Sequence, residues 1–549
     1  MKAKSILLAV FLMCFTSLMA NNVFFEETND STHKQNITSF LVEFEKGNFS
    51  KALEYIPLIE ASADSLYDVA IKISDCYYFL DKDKECIEFT LEAIKKHPSF
   101  NFYYYPRVAN CYYFQKEYNL AKKYFELYIE EINKENFLPS LYDYGRYALT
   151  LHKLYDYAKA EIYFAKSIEL LLAEENLSLE EIHKTEHKDF LKLILREYAY
   201  NFIFQGKETE GLKMLNLASN CGDEASIEMY NILITSSTFG KDVQVKKKYI
   251  REFDEIITSY SNLKNLPNIP ADFWGKCQEL NVEFNELNVA LHKKKQPKTL
   301  RKAINNIASS KQYLERYLYE LSPHPVSDIE SNLTYNLSGN GDLFKELRIY
   351  PANEPNAFAT PHGQIYLTQG LFYRYHFKDN LLLGVCAHEL AHYLLAHSLV
   401  SEWKQQKKER NNKIWAGVAV GLNTAAHAVS SYYSASAGVG ANDENYWSDY
   451  WGNVGTINNN LIYAFQKDAY YFRFKYSRIQ EIEADIAAYR YCEAMGIGGY
   501  SYILALELLG NGSGYMNAEK TSDHPTNSYR INLLKYLHAK ENTSTSSND

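Results

Sequence analysis

Between Leu381 and Val400 the chain reads LLLGVCAHELAHYLLAHSLV, with His388 and His392 four residues apart and Glu389 directly after the first. Positions four apart on an α-helix share a face, so both imidazoles can reach one zinc ion while Glu389 sits beside an open coordination position. A hydrolytic zinc site needs three protein ligands and one water. The apolar residues before and between these groups put the helix in a core, where an unpaired His, Glu, His cluster would be expensive to bury. Two satisfied core histidines are therefore the weaker reading.

A second cluster runs Ser477, Arg478, Ile479, Gln480, Glu481, Ile482, Glu483, Ala484, Asp485 in a strongly helical context. Glu481 and Asp485 share a helical face, so one can ligate a metal while the other holds a ligand histidine from behind. Glu483 reads as acidic helix surface.

Taken together, four separated signatures stand in order. The first is Asn356, Ala357, Phe358 with Gly363, Ile365 and Tyr366, and the second is the HExxH helix with its extra His397. Then come Ser477, Arg478 with Glu481, Ala484, Asp485, and last His524, Pro525 with Arg530, Ile531. In these residues the chain resembles the zinc peptidases that include HtpX, BepA, the mitochondrial OMA peptidase and the CAAX prenyl proteases. The resemblance spans about residues 300 to 540.

Carried over position by position, it implies one zinc per chain held by His388, His392 and Glu481, with Glu389 as general base. Asp485 would stand behind the ligands and Arg530 would organise the acidic cluster. His524 would either hydrogen-bond the oxyanion or occupy the fourth zinc position. Asn356, Ala357, Phe358 and Ala359 would form the edge strand that pairs with an extended substrate. His397, five residues past His392 and rotated off the ligand face of a helix, is expected to pack or hydrogen-bond and not to ligate. Two features depart from the family. In BepA-like members helical repeats follow the protease, whereas here they precede it. Pro361, His362, Gly363 replaces a common Pro-Gly-Gly turn, and His362 reads as a surface turn residue.

The period of the pattern indicates the elements that must position these groups. From about residue 38 to 240 helical patterning repeats: Asp75, Cys76, Tyr77, Tyr78, Phe79 is echoed 35 residues on by Asn110, Cys111, Tyr112, Tyr113, Phe114. Tyr124, Phe125 is echoed 39 residues on by Tyr163, Phe164. This resembles tetratricopeptide repeats, whose period is about 34. Residues 241–299 read as a helical connector, interrupted at Pro267, Pro270 and Pro297, with Lys293 to Lys295 as a solvated helix end. Residues 300–540 form the metallopeptidase domain, where short strands around Leu347 to Tyr350, Asn356 to Ala359 and Gln364 to Leu367 precede the zinc helix. The expected fold is mainly α. An N-terminal tetratricopeptide-like α-solenoid is followed by an α+β, gluzincin-like domain with a small β-sheet.

Composition narrows the function classes. A formal charge of -10 in 549 residues, made more acidic if residues 1–20 with their two Lys are removed, gives no support to nucleic-acid binding. Eight Cys without paired short spacings argue against a disulfide framework and a cysteine zinc cluster. Lys2 and Lys4 followed by the apolar Ile6 to Met13 read as a secretory signal over residues 1–20. An exported protein is expected, periplasmic in the first reading, secreted or membrane-associated in the others. Ile414 to Val429 is rich in Ala, Gly and Val but broken by Asn423, Thr424 and His427. It reads as a packed helix or lid, with peripheral membrane contact second. The expected function is a zinc endopeptidase acting on unfolded or misassembled envelope proteins, its repeats recruiting substrate or a protein partner. The alternative is a repeat-based adaptor or chaperone whose protease domain is latent.

Overall fold

The computed structural model describes residues 31–63, 67–134, 138–241, 247–261, 263, 266, 271–321, 346–350, 356–368, 370–371, 379–411, 478–512 and 527–545. The chain divides into two compact units, one ending at Ile234 and the other beginning at Thr235. The architecture is mainly α with one small sheet.

The first unit is helical throughout its described residues. Tyr67–Phe79 is followed by Asp83–Lys96, Asn101–Phe114 by Tyr118–Lys134, Leu141–Lys153 by Tyr157–Glu175, and Lys188–Phe204 by Glu208–Asn220, each helix packing on its successor. The same device turns the chain within all four pairs. Asp81, Lys116, Tyr155 and Gly206 adopt left-handed φ values. The next residue's amide then bonds five residues back, Lys82 to the Tyr77 carbonyl at 3.0 Å, Glu117 to Tyr112 at 2.9 Å, Asp156 to Leu151 at 3.0 Å and Lys207 to Phe202 at 3.0 Å. That closure satisfies carbonyls left open at the helix end and reverses the chain. Asp81, Lys116 and Tyr155 lie 35 and 39 residues apart, the offsets of the aromatic echoes. Those aromatics interlock between helices, with Phe125 5.6 Å from Tyr147, Tyr147 4.6 Å from Tyr163, and Phe164 5.1 Å from Tyr198. The helical unit suggests the tetratricopeptide-like solenoid.

In the second unit the helix Asp379–Leu394 is buried almost all round. Four elements enclose it: the helices Arg478–Ala494, Tyr500–Gly512 and Ala271–Leu280, and the sheet. The sheet has the order β1-β3-β2, with β1 Glu346–Tyr350, β2 Ala357–Ala359 and β3 Gln364–Thr368. β1 runs parallel to β3 and β2 antiparallel, so β3 is central and buried along its length while β2 is an edge strand. The turn from β2 to β3 needs Gly363, whose φ is +88° and whose missing Cβ leaves room for the Tyr393 ring, 2.8 Å from where that atom would stand. His362 in this turn is half-buried, which corrects the surface reading, because the turn folds onto the zinc-motif helix.

The helices Lys247–Ser259, Ala271–Leu280 and Val282–Leu291, expected as a connector, belong to this unit. Phe273 and Trp274 pack edge-on and tilted against Tyr491 at 5.2 and 5.1 Å, and Leu287, Ala290, Leu300 and Ala303 form a cluster with Val400 and Trp403. Lys293 to Lys295 are exposed. The seven cysteines from Cys76 to Cys492 are free and buried. Among the described residues no helix is long and apolar enough to cross a membrane. Residues 1–20 and the Ile414 to Val429 segment lie outside the described residues.

Gly384 sets the distance between the zinc-motif helix and its neighbour, since a Cβ there would stand 3.1 Å from both Cα and Cβ of Tyr502. Gly384→Val should cost about 1–3 kcal/mol in denaturant melts. It should also weaken metal binding in a chelator competition, because the displaced tyrosine belongs to the site.

Candidate metal centre

His388 and His392 project from one face of their helix with their Nε2 atoms 3.1 Å apart. Glu481, in the first turn of Arg478–Ala494, closes the third side: its Oε2 is 3.7 Å from His388 Nε2 and its Oε1 3.8 Å from His392 Nε2. The positive end of that helix favours a carboxylate at this position. All three side chains are buried, and their ligand atoms lie within 4.8 Å of one another.

The opposite ring nitrogens define which tautomer each histidine adopts, the protons being assigned from the acceptors around them. Asp485 is fully buried and receives Arg530 through two hydrogen bonds, Nε to Oδ2 at 2.7 Å and Nη2 to Oδ1 at 2.5 Å. The Tyr502 hydroxyl donates to Asp485 Oδ1 at 2.6 Å, so its oxygen is left to accept. His388 Nδ1 lies 2.8 Å from that oxygen and 3.1 Å from Asp485 Oδ1. Nδ1 therefore carries the proton, and the lone pair of Nε2 faces the cluster. Burial would push Asp485 up, but the charge and hydrogen bonds of Arg530, with help from His388, hold it far below the usual carboxylate range. Burial and the Asp485 charge keep Tyr502 a neutral phenol.

His392 is oriented by a different route. The helix stops at Leu394, and Ala396 adopts a left-handed φ of 51° before helical backbone resumes over 397–411. This break swings His397 back, so that its Nδ1 lies 2.9 Å from His392 Nδ1. The Nε2 of His397 faces Glu483 Oε2 at 3.5 Å. The negative charge of Glu483 beside Nε2 favours the His397 proton on that nitrogen. Its Nδ1 then accepts from His392 Nδ1–H, and the His392 Nε2 lone pair also faces the cluster. His397 hydrogen-bonds as expected, although the turn at Ala396, and not the continuous-helix geometry, decides where it points.

Glu483 is not the acidic surface residue read from the sequence. Tyr260 donates to its Oε1 at 3.1 Å and Asn281 to its Oε2 at 2.7 Å. These two residues come from the segments before and after Ala271–Leu280, which cover that side of the acidic helix. Nothing in local spacing marks Tyr502, Tyr260 or Asn281, because each reaches the site from an element remote in sequence.

Glu389 keeps an edge open to solvent and accepts from the Ala359 amide at 2.9 Å. Burial among protein groups pushes its carboxyl up to about 7, with His388 opposing and Glu481 reinforcing the shift. The edge strand thus touches the expected base. Asn356 receives a hydrogen bond from the Thr368 amide on its carbonyl at 2.9 Å, its own amide donates to Thr368 Oγ1 at 2.8 Å, and its side-chain oxygen accepts from the Ala357 amide at 2.9 Å. Phe358 stacks on Tyr366 at 5.1 Å. Ser477 and His524 lie outside the described residues.

Residues 336–538 match the model of Peptidase family M48. The match supports the M48 metallopeptidases for this part of the chain, and it contains the sheet, the zinc-motif helix, Glu481, Asp485, Tyr502 and Arg530. No curated protein matches the chain. M48 metallopeptidases are zinc-dependent, and the donor set here fits that ion. Two nitrogens about 2.0–2.1 Å from one tetrahedral zinc stand roughly 3.3 Å apart, close to the 3.1 Å between the two Nε2 atoms.

The contacts behind the candidate ligands carry two expected outcomes for this part of the chain. His397→Leu should weaken zinc binding by about 10-fold or more in a chelator competition, whereas His397→Gln, which can accept from His392 and donate to Glu483, should recover most of it. The second concerns acid. A carboxylate depressed in the fold contributes stability above its unfolded pKa of about 3.9 and loses it as pH falls. Asp485→Asn should cost about 3–5 kcal/mol at neutral pH, because Arg530 loses its counter-charge. Urea melts should show that gap shrinking below about pH 4.

Proposed function

We propose that this chain is a zinc metalloendopeptidase that hydrolyses peptide bonds in unfolded or misassembled proteins of the cell envelope. The observation that carries the proposal is the convergence of His388, His392 and Glu481 beside Glu389, with the amide of edge strand β2 bonded to that same carboxylate. An extended peptide added to β2 would run past Glu389, which is the arrangement peptide-bond hydrolysis needs and a small-molecule hydrolase does not. Zinc, when bound to the three ligands, polarises the scissile carbonyl and lowers the pKa of water.

The chain's own groups supply the rest. Glu389 takes the proton of the attacking water and returns it to the leaving amine, a task suited to a carboxyl that titrates near neutrality. Tyr502, Asp485 and Arg530 keep His388 in its ligating tautomer, and His397 with Glu483 does so for His392. His524 assists the oxyanion or fills the fourth position. The helical repeats recruit substrate or a protein partner. Export to the periplasm is supported by the basic and apolar pattern of residues 1–20.

The direct test is zinc content by atomic emission together with casein cleavage by the full chain and by Glu389→Gln. One zinc per chain in both proteins is expected, with cleavage falling about 10²-fold or more in the variant. Zinc in both proteins without Glu389-dependent cleavage would overturn the peptidase reading in favour of a latent adaptor or chaperone.

A further inference from the structure

Two of the buried cysteines face each other across a helix pair in the first unit. Cys86 on Asp83–Lys96 and Cys111 on Asn101–Phe114 have no solvent exposure and share one buried cluster with Tyr78 and Ile87. The Cys111 thiol donates a hydrogen bond to the Cys86 sulfur. Cys86 in turn donates to the Ser74 carbonyl at 3.4 Å, and the hydroxyls of Ser74 and Thr90 stand 3.7 and 3.9 Å from its sulfur. Its own proton is thus engaged by the backbone, which leaves a sulfur lone pair facing Cys111.

This environment sets the pair apart from the other thiols. Burial pushes Cys76, Cys277, Cys386 and Cys492 well above the ordinary thiol value, which makes them inert. At Cys86 the hydrogen bond from Cys111, with help from Ser74 and Thr90, outweighs burial and lowers the thiol. Packing alone does not call for a sulfur here. Cys86 aligns with Ala121 at the 35-residue offset of the helical echoes, and that alanine is equally buried. A methyl group thus fills the equivalent place one helix pair further on.

We infer that Cys86 and Cys111 are a disulfide-forming pair, joined when the chain meets a low-molecular-weight or protein disulfide as oxidant. Cys86 as thiolate attacks one sulfur of the oxidant and expels the other as a thiol. Cys111 then attacks the Cys86 sulfur, the bond between Cys86 and Cys111 forms, and the second half of the oxidant leaves. Both protons of the pair depart on the two expelled thiols, and two electrons pass to the oxidant. Because both sulfurs are buried, exchange takes place while the two helices fold or when they open locally. The bond joins residues 25 apart and ties Asp83–Lys96 to Asn101–Phe114, which restricts the unfolded chain. An oxidising compartment, such as the one to which export would deliver the chain, supplies the oxidant. The chemistry itself needs neither export nor the metal centre, so its failure would leave both of those readings standing.

The test is to incubate the full chain with excess oxidised glutathione in subdenaturing urea, where buried pairs open, then to alkylate it and map its tryptic peptides without reduction. One linked pair should dominate, residues 85–95 joined to residues 108–116, and the intact chain should be two hydrogens lighter than its reduced form. The oxidised chain should melt about 5 °C or more above the reduced one. Cys86→Ala and Cys111→Ala should each abolish both the linked pair and the difference in melting, whereas Cys76→Ala should keep both. Cys86→Ala places at 86 the residue already tolerated at 121, and a cooperative melt of that variant in reducing buffer separates loss of the bond from loss of the fold. Recovery of both thiols in alkylated form from the unmodified chain, linked pairs spread over several cysteines, or a lower melting temperature on oxidation would each sink the inference.

Discussion

Asp485 is a carboxylate without solvent exposure, and a charge in that position is tolerable only if something opposite faces it. Arg530 does so through two hydrogen bonds, from a helix 45 residues further along the chain. The pair joins the helices Arg478–Ala494 and Asn527–Thr545, and through Tyr502 the helix Tyr500–Gly512 as well. Because Asp485 is held ionised, it can only accept, so the proton between it and His388 belongs to the histidine. One buried ion pair therefore packs three helices against the zinc motif and aims the lone pair of a candidate ligand. Replacing such a pair by apolar residues of similar size can leave stability unchanged, but no apolar group could orient His388.

The second candidate ligand depends on the same logic with weaker components. His392 leans on His397, and His397 on Glu483, whose oxygens are held by Tyr260 and Asn281. Here the carboxylate is partly solvated and its partners are neutral. The two ligands thus sit in different fields, one backed by a full guanidinium charge and the other by neutral donors. The segments around Ala271–Leu280 consequently serve the site, since they bring Tyr260 and Asn281 to Glu483.

Glu389 differs from every other group in the cluster. Its carboxylate keeps one edge open and, among the described residues, bonds to a backbone amide of the edge strand. That environment leaves its proton affinity high, as proton transfer near neutral pH requires. The edge strand and the carboxylate proposed to move the proton are coupled through a single amide, that of Ala359.

The sequence by itself determined the features that depend on short spacings alone. Four-residue separation on a helix put His388 and His392 on one face and Glu481 and Asp485 on another, whatever the helices pack against. The change of period ahead of Leu347 announced the strands, and the aromatic echoes carried the offsets of the helix-pair turns at Asp81, Lys116 and Tyr155. The family resemblance chose Glu481 over Asp485 as the ligand, a choice their shared helical face leaves open. Tertiary structure decided which partners complete each chain of hydrogen bonds. Tyr502 meets His388 across 114 residues and Asn281 meets Glu483 across 202, and no local pattern encodes a contact at such separation. Glu483 changed from surface acid to histidine support, and His362 from surface to half-buried, for the same reason. Burial is a property of what packs on a residue, and that is fixed only when distant elements meet.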